Sequence, residues 1–167
     1  MVSQTSVAAR RGRILWDDLQ GERRYDAMAL YRQSKIACGL FALELGRRSA
    51  AGGWGVTSAL SHPGVAPTNL LAAQPGTGRT EDGLEIRTIR WLSARGILIG
   101  TPQSAALPAL MALTAREDHV GHLFGPRGPG QTGGRPGTHA LWKPLRDEAE
   151  AARVWDWSAE AAGVTWP

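Results

Sequence analysis

The sequence predicts an α/β fold, because a long helical pattern is followed by a short break and then by a buried strand. Apolar and small residues recur at helical spacing over residues 27–50, and Gly52 and Gly53 then end the helix. The next stretch, WGVTSALSHPG, is typical of a buried strand that runs into a Pro-Gly loop. Helix, short loop and strand in this order are characteristic of α/β proteins.

Shorter elements are expected on both sides of this unit. The opening MVSQTSV predicts a short strand that ends in hydroxyl residues, and the polar stretch WDDLQGERRYD predicts a turn-rich loop before the helix. Further helices are expected over about 86–96 and 102–116, the second with Thr101 as its cap and Pro102 at its first position. HVGHLFG predicts a short strand, and LRDEAEAARVWDWSAEAAG predicts a final amphipathic helix.

Two segments are expected to be loops. Residues 74–85, QPGTGRTEDGLE, predict either a lid over a ligand or a plain connector. Residues 125–139 predict a Gly/Pro-rich loop that is too short to be an independent linker. A chain of 167 residues suits one domain, so we expect a single unit over residues 1–167.

Composition and charge exclude several classes of protein. With 43% hydrophobic and 20% charged residues, the chain falls in the ordinary soluble range. The single Cys38 rules out an intramolecular disulfide and a cysteine-built zinc site, and it fits a reducing, cytoplasmic setting. No window of about 18 apolar residues predicts a membrane span. The net charge of +4 comes from basic pairs scattered between acidic residues, and His119 and His122 are expected at the surface, so we predict neither a nucleic-acid partner nor a metal site.

The segment YRQSK carries the first candidate for chemistry. Tyr31 and Lys35 are four residues apart, so on a helix they lie on one face, about one turn from each other. A free phenol exchanges protons poorly at neutral pH, but a cation within ~4–6 Å favours its ionised form. The pair is therefore a candidate acid/base group, although the same spacing also occurs by chance on helices.

Two other segments are expected at the same place. Ser6 ends the first predicted strand, and HPGVAPT, which contains Pro63, Gly64, Val65 and Thr68, follows the second. Segments that follow parallel strands meet at the carboxyl edge of a sheet. We therefore expect these two segments and the YRQSK helix to line one crevice.

In this order and spacing, TSVA, YRQSK and HPGVAPTNL resemble the short-chain dehydrogenase/reductase family. The insertion GRILWDDLQGERRYD, the segment HLFGPRG and the closing DEAEAARVWDWSAEAAGV resemble its subgroup of retinol dehydrogenases and protochlorophyllide reductases. The resemblance covers essentially the whole chain. It implies the carboxyl-terminal part of a Rossmann-like, doubly wound parallel sheet, with about three strands and flanking helices.

The resemblance also implies hydride transfer between a nicotinamide cofactor and an alcohol or carbonyl substrate. Tyr31 would act as general acid/base, Lys35 would support it and hold the nicotinamide ribose, and Ser6 would hydrogen-bond the substrate oxygen. Thr5 stands where the family usually has a second serine. The cofactor is NAD or NADP, with NADP slightly favoured by the subgroup. The residues implied to contact it are Tyr31, Lys35, Pro63, Gly64, Val65 and Thr68.

The resemblance also implies that one half of the family's fold is missing from this chain. The family's first half carries a glycine-rich turn, the residue that selects NAD or NADP and an asparagine of the proton relay, and we expect this chain to lack that nucleotide-binding half. Its first strand would then lie at an open sheet edge, and the helix over 27–50 would offer an apolar face for a homodimer. Two functions stay open: an active oxidoreductase, or a truncated, non-catalytic remnant or interaction module that no longer binds the dinucleotide.

Overall fold

A computed structural model describes residues 1–66, 91, 100–115 and 121–166. The described strands are β1 (Val2–Gln4), β2 (Ala59–Ser61), β3 (His122–Pro126) and β4 (Pro136–Ala140). The described helices are α1 (Ala27–Gly52), α2 (Pro102–Thr114) and α3 (Glu148–Ala162). Short 3₁₀ turns lie at Val7–Arg10, Trp16–Asp18, Pro129–Gln131 and Lys143–Leu145.

The four described strands form one open sheet in the order β1-β2-β3-β4. β1, β2 and β3 are parallel, with Ser3 opposite Leu60 and Leu60 opposite Leu123, whereas β4 runs antiparallel to β3. Among the described strands, β1 has a neighbour on one side only. The predicted α/β class with a mostly parallel sheet is therefore confirmed.

Helices cover both faces of the sheet. Successive residues of a strand point to opposite faces, and the apolar side chains follow this alternation. Leu60 and Leu123 join the core that α1 and α3 build, whereas their neighbours Ala59 and Phe124 join Ala112 of α2. This alternation places α1 and α3 on one face and α2 on the other.

Helix α1 has a cap at each end. The Asp26 carboxylate accepts hydrogen bonds from the N–H groups of Met28 and Ala29, each at 3.0 Å, and so satisfies two donors of the first turn. At the other end, Gly53 adopts a φ of +65°, which is the left-handed conformation that ends many helices. The helix predicted over 27–50 is confirmed, and it runs two residues further, to Gly52.

The hairpin of β3 and β4 corrects two predictions. The described sheet has four strands instead of about three, and the Gly/Pro-rich loop expected over 125–139 is confined to residues 127–135. Gly125 lies opposite Gly137 in this ladder, and the Arg127 side chain occupies the space that a side chain at position 137 would take. The paired glycines therefore belong to a ladder that tertiary contacts stabilise, despite their low strand propensity.

The remaining elements follow the predictions with small shifts. Helix α2 ends two residues before the predicted 116, and the predicted final helix is confirmed as α3. The lid predicted over 74–85 lies outside the described residues, as does the helix predicted over 86–96 apart from Trp91. In the described ranges, no helix combines the length and the apolar character needed to cross a membrane.

Candidate active site

Two of the predicted site segments meet at the carboxyl edge of the sheet. β1 and β2 are parallel, so Ser6 and the 63–65 segment, which follow these strands, leave the sheet on the same side. The Thr5 N–H donates to the Ser61 carbonyl at 2.8 Å, which keeps the two chains side by side up to the residue before Ser6.

Thr5 also attaches helix α1 to this edge. Its hydroxyl donates to the main-chain carbonyl of Lys35 at 2.7 Å, and its side chain is buried, so the bond is shielded from water. The Cys38 thiol donates a weaker bond to the Gln4 carbonyl at 3.5 Å, and burial raises the pKa of this thiol, which keeps it protonated. The structure therefore brings the YRQSK helix to the strand end that precedes Ser6.

Tyr31 and Lys35 lie on one face of α1, as predicted. The Lys35 Nζ is 5.8 Å from the centroid of the Tyr31 ring, and both side chains are partly exposed. Among the described residues, no carboxylate forms an ion pair with Lys35. Its three N–H donors can therefore serve the hydroxyl groups of a ligand.

Ser6 caps the Val7–Arg10 turn. Its Oγ accepts a hydrogen bond from the Ala8 N–H at 3.3 Å. A hydroxyl has one proton to donate as well as two lone pairs, so this bond leaves the proton free. Ser6 can therefore donate a hydrogen bond to the oxygen of a substrate.

The 63–65 segment forms a turn that only glycine permits at its centre. Gly64 has a φ of +76°, and a Cβ atom on it would lie 2.5 Å from the Thr132 carbonyl oxygen. The Val65 N–H donates to that same oxygen at 2.7 Å. The turn is thus braced against the 127–135 connection. Thr68, the last predicted cofactor residue, lies outside the described residues.

His62, directly before this turn, is a residue whose part in the site the sequence analysis missed. Its side chain is fully buried, its Nδ1 accepts a hydrogen bond from the Gly64 N–H at 3.2 Å, and within the described part of the chain its Nε2 has no partner. Burial, together with the nearby His139 and Arg10, lowers the pKa of His62 to about 4, although the Gln131 side chain opposes this shift. His62 is therefore neutral at physiological pH. A histidine two residues before a glycine at a strand end is the signal that could have found it.

Acid is expected to destabilise the fold through His62. An unfolded histidine titrates near 6.5, whereas the folded pKa is about 4, so the unfolded chain binds the proton first as the pH falls. The free energy of unfolding should therefore fall by about 2–3 kcal/mol between pH 7 and pH 4.5 from this residue alone. Urea unfolding at both pH values measures the loss. Replacement of His62 with Asn should remove this part of the pH dependence, and an unchanged dependence would contradict the assignment.

A groove of about 390 Å³ lies elsewhere along α1, between this helix, α3 and the Trp16–Asp18 turn. Tyr31 and Lys35 do not line it, so it is separate from the candidate site. Its wall is mainly apolar and includes Ile14, Trp16, Leu19, Leu30, Ala37 and Trp157.

Comparison with known proteins finds dehydrogenases. The chain is 35% identical over 170 residues to retinol dehydrogenase 13 of Homo sapiens, which covers 100% of the chain and 46% of that protein. It is 33% identical over 168 residues to retinol dehydrogenase 11 of Homo sapiens, covering 98% of the chain and 45% of that protein. It is 36% identical over 134 residues to polyprenol dehydrogenase of Mus musculus, covering 80% and 32%. The chain thus spans about half the length, or less, of these curated relatives. No protein-family model matches it.

A solved structure shares the fold. The crystal structure of an uncharacterized protein from Mycobacterium paratuberculosis matches 99% of this chain and 51% of its own, with a TM-score of 0.65 and 26% identity. The retinol dehydrogenases align with this chain through about the last 45% of their length. The fold and these relatives show that the chain belongs to the short-chain dehydrogenase/reductase family. Within that family it corresponds to the carboxyl-terminal part of the retinol dehydrogenases, as its motifs predicted.

Proposed function

We propose that this chain forms the substrate-side, catalytic part of an NAD(P)-dependent oxidoreductase that acts on an alcohol or a carbonyl group. The observation that carries the proposal is the Thr5–Lys35 hydrogen bond, which fastens the Tyr31 helix to the strand end before Ser6. We expect this bond to keep the Tyr31 phenol and the Lys35 ammonium close to the Ser6 hydroxyl. The names of the relatives, retinol dehydrogenase and polyprenol dehydrogenase, support the same class of reaction.

The donor set suits the nicotinamide side of a dinucleotide. Lys35 offers N–H donors to ribose hydroxyls, and the 63–65 turn is rigid because the N–H groups of both Gly64 and Val65 are already bonded. A rigid turn presents the same surface to a ring in every encounter, which lowers the entropy lost on binding. When bound, the nicotinamide would supply or accept the hydride.

The side chains of the site would manage the proton and the developing charge. In the direction of reduction, Tyr31 donates its proton to the substrate oxygen as negative charge builds there. The Ser6 hydroxyl donates a hydrogen bond to the same oxygen and stabilises that charge. Lys35, beside the Tyr31 ring, stabilises the phenolate that remains. In the direction of oxidation each step runs in reverse.

Finer assignments belong to this proposal as well. We favour NADP over NAD because of the subgroup resemblance, with Tyr31, Lys35, Pro63, Gly64, Val65 and Thr68 as the contacts. A homodimer through helix α1 and a cytoplasmic setting stay predictions.

A second function has specific support. β1 has a strand neighbour on one side only among the described strands, and α2 exposes Leu107, Leu110 and Leu113 to 40%, 53% and 63%. An open strand edge and an apolar helix face favour association with another polypeptide. In this alternative the chain is a truncated, non-catalytic remnant or interaction module, and the site residues persist without binding a dinucleotide.

Replacement of Lys35 with Ala is expected to weaken cofactor binding about tenfold or more, because a charged hydrogen-bond donor to the ribose is lost. The measurement is a titration of the purified chain with NADPH and with NADH, followed by nicotinamide fluorescence and by the shift in thermal midpoint. Lys143→Ala is the matched control, since Lys143 is exposed and lies in a turn outside the site.

The two functions predict different titrations. Saturable binding that Lys35→Ala weakens and Lys143→Ala does not would support the oxidoreductase. A folded chain that binds neither cofactor at millimolar concentration would favour the remnant or interaction module.

A further inference from the structure

We infer that His62 is a positioning residue for the cofactor loop: its Nδ1 fixes the Gly64 N–H and, with it, the turn at 63–65. The nicotinamide as ligand of this turn rests on the proposed function. The hydrogen bond is a property of the chain alone, so it can be tested whether or not a cofactor binds.

The bond closes a small ring at the end of β2. Nδ1 accepts from the N–H two residues further along, at 3.2 Å, in the pattern by which asparagine and aspartate side chains form local turns. Gly64 needs this support because its φ of +76° is one of several conformations open to glycine in a flexible loop. The imidazole adds to the Val65–Thr132 bond and fixes that conformation at Gly64 itself before any ligand arrives.

Stability alone does not account for a histidine at this position. His62 is 0% exposed, and in the described part of the chain its Nε2 has no hydrogen-bond partner. A buried polar atom without a partner lowers the stability of a fold. An apolar side chain of similar size would avoid that loss but could not accept the hydrogen bond that Nδ1 receives from the Gly64 N–H.

The surroundings hold the ring in the orientation that aims Nδ1 at Gly64. The missing side chain of Gly125 leaves the space into which Nε2 packs, and the Trp142 ring lies 4.8 Å away, centroid to centroid. The low pKa that burial, His139 and Arg10 impose on His62 keeps it neutral, so Nδ1 retains its lone pair. The ring can neither rotate freely nor gain a second proton at neutral pH.

Two replacements of His62 distinguish the effect of its hydrogen-bond acceptor, Nδ1, from the effect of the volume of its ring. His62→Asn keeps an acceptor for the N–H two residues on, and His62→Leu keeps the volume without an acceptor. The first readout is the hydrogen exchange of the Gly64 amide in the ligand-free chain, followed by NMR. We expect exchange to rise about tenfold or more in His62→Leu and to stay within about threefold of the unmodified chain in His62→Asn.

The second readout is the dissociation constant for NADPH. It should rise about tenfold in His62→Leu and be largely restored in His62→Asn, because a disordered turn must be ordered again on binding. Faster exchange in both variants would show that the ring's packing, and not Nδ1, holds the turn, and would overturn the inference. Unchanged exchange and unchanged binding in His62→Leu would overturn it as well.

Failure of the proposed function would look different. If the unmodified chain binds no NADPH, the function proposed above fails, and the exchange of the Gly64 amide alone decides whether His62 holds the turn. Altered exchange with unaltered NADPH binding would show that the turn is held but has no part in cofactor binding, which would overturn the positioning role.

Discussion

Replacing Trp155 with Ala is expected to lower the free energy of unfolding by about 3–5 kcal/mol. Trp155 is 1% exposed, and its ring stacks on Phe41 with centroids 4.8 Å apart and planes 15° apart. It also contacts Trp166 at 4.6 Å and lies under the Arg48 guanidinium at 5.1 Å. Removal of the indole would leave a cavity between α1 and α3 and would remove these ring contacts together.

The matched control lies two residues away on the same helix. Trp157 is 40% exposed, so its replacement with Ala should cost about 1 kcal/mol or less. Urea unfolding of both variants, followed by circular dichroism, measures the difference. Equal losses in the two variants would mean that Trp155 does not anchor α3 to the rest of the fold.

Replacing Tyr31 with Phe is expected to reduce carbonyl reduction by about 10²–10⁴-fold and to change the dissociation constant for NADPH far less. The substitution removes only the phenolic oxygen, so the ring that lies beside Lys35 stays in place. General acid/base catalysis by a positioned side chain contributes a factor of this size. An effect on the rate that far exceeds the effect on binding identifies a group that acts in the transition state.

The chain supplies its own control for this experiment. Tyr25 is 78% exposed and lies outside the described helices and strands, so Tyr25→Phe should behave like the unmodified chain. The assay follows NADPH oxidation at saturating cofactor with a panel of aldehydes and ketones. Retention of the full rate in Tyr31→Phe would refute the role of Tyr31. Saturable NADPH binding without turnover on any carbonyl would refute the proposed reaction.

Secondary-structure elements that depend on a local residue pattern could be predicted from the sequence. The helix over 27–50 is a long apolar run that ends in Gly52 and Gly53, and its length and cap are both local features. Strand β4 was missed, because PGTHA contains residues that disfavour strands and forms one only where β3 lies opposite. Pairing between distant segments is set by tertiary contact, which a single segment does not reveal.

In the candidate site, too, local features could be predicted from the sequence and features that depend on tertiary contacts could not. The spacing of Tyr31 and Lys35 is a helical repeat, so the prediction that they share a face needed only the helix. The role of Thr5 was missed, since its bond to the Lys35 carbonyl joins two segments 30 residues apart. The role of His62 depends on burial and on the missing side chain of Gly125, both of which arise only in the folded chain.

The fastening of the site has a consequence for how this protein can evolve. The Thr5 hydroxyl donates a hydrogen bond to the main-chain carbonyl of Lys35, and the Val65 N–H donates one to the main-chain carbonyl of Thr132. A carbonyl group is present whichever amino acid occupies the position. Mutations at the accepting positions therefore change a side chain without breaking the frame, and the geometry is inherited with the backbone. The side chains along this edge can then change between descendants while the main-chain framework that joins β1, α1 and the 63–65 turn stays constant.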